Sequence, residues 1–373
     1  MRVLILGGRA PVALDHARRF AAHGWTAYVG DSLPARLSTW SRSVVKAIRL
    51  PPPRHALEAF ATELDSVIAR ERIDLLLPTC EEVFFVSRVR SRLPAACNVF
   101  APAFEQMRGL HSKWSFLSLA RECGIDAPES ALVRDIDTAR EWTGGRAVVL
   151  KPEFSRFGVH VRTYPNGIPA EAPALVPSGP WVVQAYRQGT EISSYGIAAN
   201  GRLSAHVAYR PSYRLAGSSS YYFDPIEAPR IASLVERFVA RLGFSGQIAF
   251  DWIESADGTL SVLECNPRAV SGVHLFGASD DLPGAMTGHS GCCVVPAKPT
   301  PRMLATVMLT VGLPAALRKS RVTQWHRDWS RARDVLATPD DVLPALGAVA
   351  DLASLARIAL RDRCLYGDRK SVV

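Results

Sequence analysis

Lysine is scarce in this chain. Only six of its 44 basic residues are lysine, so Lys46, Lys113, Lys151, Lys298, Lys319 and Lys370 each carry information. Dense Lys/Arg runs and aromatic–basic interleaving are missing as well, so the formal charge of +9 does not indicate nucleic acid or a membrane surface as partner. The seven cysteines are odd in number and form no C-x-x-C pair, which indicates neither a disulfide framework nor a zinc site. The opening "MRVLILGGRA" is apolar for too few residues to be a signal peptide. No uncharged run reaches spanning length. The most apolar candidate, "ALGAVADLASLARIAL", is interrupted by Asp351 and Arg357 and reads as an amphipathic packing or interface helix. A cytoplasmic location is expected. The first turn, "GGRAPVA", departs from the G-x-G-x-x-G fingerprint, so no dinucleotide site is expected there. Repeats and low-complexity segments are absent too.

What is present is an ordinary globular composition, 48% hydrophobic over 373 residues, with room for two or three domains. "RVLILGG", "TAYVGDS" and "IDLLLPT" read as strands, alternating with the helical patterns "ALDHARRFAAHG" and "ALEAFATELDSVIARER". That alternation predicts a parallel α/β sheet. Such sheets place ligands beyond the carboxyl ends of their strands. "PTCEEV", with Thr79, Glu81 and Glu82, is therefore a candidate substrate loop, although acids also suit a helix start for the dipole alone. "HSKWSFLSLARECG" predicts a helix, "RAVVLKPEFSRFGVHVR" two strands around a short loop, and "PWVVQAYRQGTEISSYGIAANGRLSAHVAYR" an antiparallel meander. "RPSYRLAGSSSYYFDPIE", with Arg210, reads as a loop that closes over substrate or lies on the surface. The tail from about residue 300 reads as mainly helical.

The segment "GQIAFDWIESADGTLSVLECNPR" carries the chemistry. Two β-rich runs flank the turn "SADG", which predicts a hairpin. Its pairing brings Asp251 near Glu264 and Asn266. With strict alternation, Val262, Glu264 and Asn266 share one face, and Leu263 and Cys265 look into the other layer. Two carboxylates and an amide oxygen suit Mg²⁺, which leaves its other positions to water and phosphate; an exposed polar face would look the same in sequence. Arg268 points to the same face, where a guanidinium fork suits a carboxylate or an acylphosphate. Cys265 reads as a core thiol.

Lys151 ends a buried strand and Lys113 opens a helix; lysines in such places are usually paired with an anion. In "VVQAYRQGTE", Gln184 can read an adenine edge and Glu191 can accept from ribose hydroxyls. "AVSGVHLFG" follows the metal strand, which puts Ser271, Gly272 and His274 toward the substrate. His274 reads either as a general base or as a satisfied structural histidine.

Taken together, Lys113, Lys151, "QAYRQGTE", the Asp251–Glu264–Asn266 set and "NPR" resemble the ATP-grasp superfamily, in the right order over roughly residues 110 to 275. The resemblance implies a pre-ATP-grasp parallel α/β domain (1–108), then a two-lobed ATP-grasp α+β domain (109–300, its smaller lobe about 113–183), then a mainly helical extension (301–373). It implies ATP and Mg²⁺: Lys113 and Lys151 on the phosphates, Gln184, Ala185 and Tyr186 as adenine hinge, Glu191 on the ribose, and Asp251, Glu264 and Asn266 on magnesium. One departure is the loop "KPEFSRFGVHVR", which holds a single glycine where the family is glycine-rich; Ser155 and Arg156 would then serve by side chain. The implied activity is an ADP-forming carboxylate–amine ligase acting through an acylphosphate, on an amino acid or other small carboxylate, with Arg268 and Lys151 catalytic. Its partners would be small molecules, with no nucleic acid and no membrane span, and a homodimer is compatible. Two alternatives stand beside it. One is a bicarbonate-activating carboxylase or carbamoyl-phosphate-type enzyme, against which no amidotransferase or biotin-carrier segment is visible. The other is a non-catalytic ATP-binding sensor or scaffold.

Overall fold

The computed structural model describes residues 1–33, 36–155, 160–176, 178–215 and 219–361. Five parallel strands open the chain: β1 (Arg2–Leu6), β2 (Thr26–Asp31), β3 (Val44–Arg49), β4 (Leu75–Pro78) and β5 (Asn98–Val99), in the order β3-β2-β1-β4-β5. β1 shows why it sits centrally. Val3, Leu4, Ile5 and Leu6 are all fully buried, as expected of a parallel strand covered on both faces. The helix Pro11–Ala22 starts on proline at its first turn and is followed by Gly24 at φ +77°, a conformation glycine adopts without a Cβ penalty.

A second, four-stranded sheet holds β6 (Ser130–Val133), β7 (Val148–Pro152), β8 (Arg162–Tyr164) and β9 (Trp181–Ala185), in the order β6-β9-β7-β8. The third and largest holds β10 (Thr190–Ala199), β11 (Arg202–Leu215), β12 (Ser219–Ile226), β13 (Gly246–Glu254), β14 (Leu260–Asn266), β15 (Arg302–Met303) and β16 (Arg333–Asp334). Its order is β14-β13-β10-β11-β12-β15-β16.

Several expectations change. The expected meander is split: β9 belongs to the small sheet and β10 to the large one, so Tyr186–Gly189 is a crossing between lobes. The expected loop "RPSYRLAGSSSYYFDPIE" is most of the hairpin β11–β12, and its Tyr221 and Tyr222 are buried against Met308 and Trp325 of the C-terminal region. The consecutive Tyr221, Tyr222 and Phe223 permitted a strand reading, but the Ser/Gly content before them hid it. The tail is helical over most of its described length, yet β15 and β16 extend the large sheet. Helix Lys113–Glu122 packs Phe116 against Phe238 and Phe250 under the large sheet, and Lys113 N donates to Glu153 O just past β7.

The parallel-sheet domain and the large sheet share one continuous core, in which Val3, Ile5 and Phe20 join Tyr195, Ile197, Val273 and Phe276. Fully burying such side chains stabilises by about 1.5–3 kcal/mol each. This core fixes the two units against each other, with a cleft along their junction with the small lobe.

Candidate active site

The cleft has a volume of about 750 Å³ and is lined from all three sheets and from the helix Leu343–Arg361. On β13, Ala249, Asp251 and Ile253 face it, as strand alternation requires. In the register Asp251 lies opposite Glu264 and Asn266 opposite Ala249. Just beyond the Asp251–Glu264 pair, toward Trp252, the strict alternation fails. Trp252 pairs with Val262, so Leu263 is the extra residue of a β-bulge. Val262 therefore joins Cys265, Phe250 and Trp252 in the core and is fully buried, whereas Leu263 lines the cleft. The bulge is what lets two carboxylates meet on the cleft face.

Asp251 accepts from Ser193 Oγ at 2.6 Å, and Asn266 Nδ2 donates to Glu264 Oε1 at 3.4 Å. Burial and the neighbouring Glu264 push the Asp251 carboxyl up to about 7. Burial raises Glu264 as well, but Lys113 and Lys151 outweigh it and hold its carboxyl below the usual range. Two carboxylates that share a proton make a place for a cation. Among the described residues no group of three His, Cys, Asp or Glu side chains could hold a metal ion. The donor set is two carboxylates and an amide oxygen, which fits Mg²⁺ with several of its waters retained.

Lys113 and Lys151 are 4% and 5% exposed. Lys113 Nζ donates to Ser155 O at 2.9 Å and lies 3.9 Å from Glu264 Oε2. Ser112 caps its helix, accepting from Ser115 N at 3.1 Å. A lysine in the first turn opposes the helix dipole, a cost that the anionic neighbours offset. Lys151 Nζ donates to Leu263 O at 3.2 Å, and burial pushes its ammonium down to about 8. An ammonium has three donors, so Lys151 retains capacity for an anion in the cleft. Ser155 lies beside Lys113, its Oγ 3.4 Å from Pro152 O and away from the cleft wall. Arg156 and Gly158 lie outside the described residues.

At the hinge, Gln184, Ala185, Tyr186 and Glu191 all line the cleft. Gln184 is 2% exposed and its Nε2 has no partner among the described residues. A buried amide left without an acceptor costs about 1–3 kcal/mol, and a purine nitrogen would satisfy it. The backbone amides next to it are already used: Ala185 N donates to Glu129 O at 2.9 Å and Tyr186 N to Ala147 O at 3.0 Å. Glu191 is ion-paired with Arg214 of β11. Thr163, Val149, Ile253 and Leu263 complete this end of the cleft.

The other end lies over the parallel sheet. Arg268 donates to Ala269 O at 3.1 Å, and its Nε is 3.7 Å from Glu81 Oε1. Arg9, Cys80, Glu81, Ser271 and Asp351 share this wall. Five expected residues do not. Thr79 is fully buried and its hydroxyl donates to Leu6 O at 2.7 Å, tying β4 to β1. Gly272 packs on Tyr195, where a Cβ would fall 2.4 Å from that residue's Cβ. His274, 4% exposed, bonds Asp15 Oδ2 through Nδ1 and lies against the Phe223 ring, so it is a structural histidine. Arg210 is exposed on the far side of β11. Glu82 turns behind the wall to Arg9, 2.6 Å away.

Ser193, Tyr209, Arg9 and Asp351 line the cleft without having been read from sequence. Ser193 follows from the pairing of β10 with β13, which sets it opposite Asp251. Arg9 and Asp351 carry no local signal.

No protein-family model and no curated protein sequence matches the chain. Solved structures do. The N5-carboxyaminoimidazole synthetase of Staphylococcus aureus complexed with ADP superposes with a TM-score of 0.63 at 13% identity, over 85% of this chain and 86% of that one. The biotin carboxylase domain of the 2-oxoglutarate carboxylase of Hydrogenobacter thermophilus, in complex with MgADP and bicarbonate, gives 0.60 at 13% identity, over 78% and 69%. The L-amino acid ligase of Bacillus licheniformis gives 0.53 at 14% identity, over 73% and 68%. At these identities the likeness establishes the fold.

Proposed function

We propose, on the premise that this chain has the ATP-grasp fold its solved neighbours share, that it is an ATP-dependent, ADP-forming ligase joining a small carboxylate to an amine through an acylphosphate. One observation carries the reading. Two buried lysines converge on the paired carboxylates Asp251 and Glu264 at one end of a cleft whose hinge holds the unpartnered Gln184 amide. Such an arrangement suits a purine bearing a polyphosphate and a cation.

The residues divide the work. Gln184 Nε2 would donate to the adenine edge, and Glu191, already beside Arg214, would accept from ribose. Lys113 and Lys151 would neutralise phosphate oxygens, which matters most in phosphoryl transfer because positioning and charge are nearly all the protein supplies. Asp251, Glu264 and the Asn266 oxygen would hold Mg²⁺, whose contribution is to neutralise charge on the transferring phosphoryl group. The substrate carboxylate oxygen takes the γ-phosphoryl group and ADP leaves. The amine nitrogen then attacks the acyl carbon, the C–N bond forms, phosphate departs, and the amine proton passes to solvent. Arg268 would fork onto the acyl group through both steps. The domain limits at 108/109 and 300/301, small-molecule partners and a cytoplasmic location belong to the same reading. Among the described residues no helix is long and apolar enough to cross a membrane.

The test is ADP release across a library of carboxylates and amines, amino acids and bicarbonate included. ADP formed only when acid and amine are both present is the expected result. ADP formed with bicarbonate alone would favour the carboxylase alternative, and nucleotide binding without turnover on any pair would favour a sensor.

A further inference from the structure

The C-terminal helix Leu343–Arg361 reaches the cleft from outside all three sheets. It packs on the turn Leu37–Trp40, where Gly347 lies so close that a Cβ would come within 2.6 Å of the Trp40 ring. Asp351 then points inward. It is 5% exposed, lines the cleft, and accepts from Leu37 N through Oδ2 at 2.7 Å. Its other oxygen, Oδ1, is buried with no hydrogen-bond partner among the described residues.

The neighbouring acids are occupied. Arg9 holds Asp31 at 3.0 Å and Glu82 at 2.6 Å, and Arg268 faces Glu81. Glu82 Oε2 also lacks a partner, but Glu82 sits behind Arg9, beside Gly7 and off the cleft wall. Asp351 is therefore the carboxylate on this wall with an unfilled oxygen. Burial pushes its carboxyl up to about 6 even though Arg9 and Arg36 work against it, and neither hydrogen-bonds Oδ1, so near neutral pH it is ionised at a cost that a cation on Oδ1 would relieve.

We infer that Asp351 receives the amino group of a substrate, so that the acceptor end of the cleft takes an amino-bearing carboxylate of the amino-acid class. The C-terminal helix is then part of the substrate pocket, supplying the anion while Arg268 supplies the fork for the carboxylate. The inference rests on the ligase reading for its chemistry, but not for its test.

The experiment is calorimetric titration without nucleotide, using a panel of L-amino acids and the desamino acid matching each, such as L-alanine with propionate and L-glutamate with glutarate. At least one amino acid binds the wild-type protein, at least tenfold more tightly than its desamino counterpart. Asp351→Asn loses about tenfold for that amino acid and leaves the desamino acid unchanged. Asn keeps an oxygen for Leu37 N, and hydrogen exchange of the Leu37 amide checks that the helix stays docked. The wild-type comparison stands whatever the variant does. Equal binding of amino and desamino acids, undiminished binding to a docked Asp351→Asn protein, or no binding by any member of the panel overturns the inference. Since no ATP is present, failure of ATP turnover leaves this result standing. Loss of the amino-group subsite, conversely, leaves a ligase acting on other carboxylates.

Discussion

The cleft and the seam behind it both bury many polar groups, and they differ in how completely those groups are bonded. In the seam, Asp15 meets His274 and Arg19, and Arg18 bonds Asp341 together with the carbonyls of Val335 and Leu336. Gln247 donates to Pro78 O, which orients its oxygen to accept from both His16 Nε2 and Tyr195 OH. His16 Nδ1, Arg19 Nε and Arg302 Nε lack partners there among the described residues, but the charges themselves are matched. In the cleft, by contrast, two lysines share few acceptors, two carboxylates face each other, and Gln184 and Asp351 each keep an unfilled atom. The seam answers each carboxylate with a cationic or imidazole partner, which serves the fold, whereas the cleft sets like charges face to face, which suits a ligand.

That contrast breaks most sharply at Glu264. Glu264→Gln should reduce Mg²⁺-dependent ATP turnover by about three orders of magnitude, equivalent to about 4 kcal/mol, while its urea midpoint matches wild type. Asp15→Asn in the seam should behave oppositely: breaking a buried charged network costs about 3 kcal/mol of stability, read by urea unfolding, while the folded protein binds ATP as before. Arg268→Lys should lose about a hundredfold in ADP release at saturating acid and amine, because a point charge replaces a fork. Its calorimetric affinity for ATP should stay near normal; a parallel loss of affinity would move Arg268 onto the triphosphate. Gln184→Ala should weaken ATP about tenfold, about 1.4 kcal/mol, and leave stability unchanged or raised, since an unpartnered amide has been removed.

A last effect is one of pH, and its sign differs between the histidines and Asp351. Burial pushes His16 down to about 3 and His206 down to about 4. Both stay neutral when folded and take up protons when unfolded below about pH 6.5. They therefore erode stability as pH falls from about 6.5 toward 3–4, by at most about 1.4 kcal/mol per pH unit each. Asp351, raised to about 6, works the other way: the folded state holds its proton more tightly, so acidification through that range adds stability. Melting temperature against pH should flatten in His16→Gln and steepen toward acid in Asp351→Asn.

The end of the cleft proposed to take the nucleotide was legible in sequence because its residues come from short local patterns. Asp251 and Glu264 lie on one hairpin, and Lys151 and Gln184 on adjacent strands. The β-bulge at Leu263 was not legible, since alternation alone assigns Val262 to the wrong face. The acceptor end is assembled from Arg9, Glu81, Arg268 and Asp351, which are remote in the chain and meet only through the shared core. His274 illustrates the opposite difficulty. Its place after the metal strand suggested chemistry, but its partner Asp15 lies 259 residues away. β3, with four of its six residues exposed, and the two-residue β5 also escaped the pattern reading.

On the proposed function, Asp251 and Glu264 hold a metal ion beside a bound adenine nucleotide. Calorimetric titration of ATP into the wild-type protein, with Mg²⁺ and then with EDTA, checks this, alongside the same titration of Glu264→Gln. One-to-one binding that needs Mg²⁺ and is severely weakened in the variant is the expected result. ATP binding of equal strength in all three titrations, or none in any of them, would contradict it.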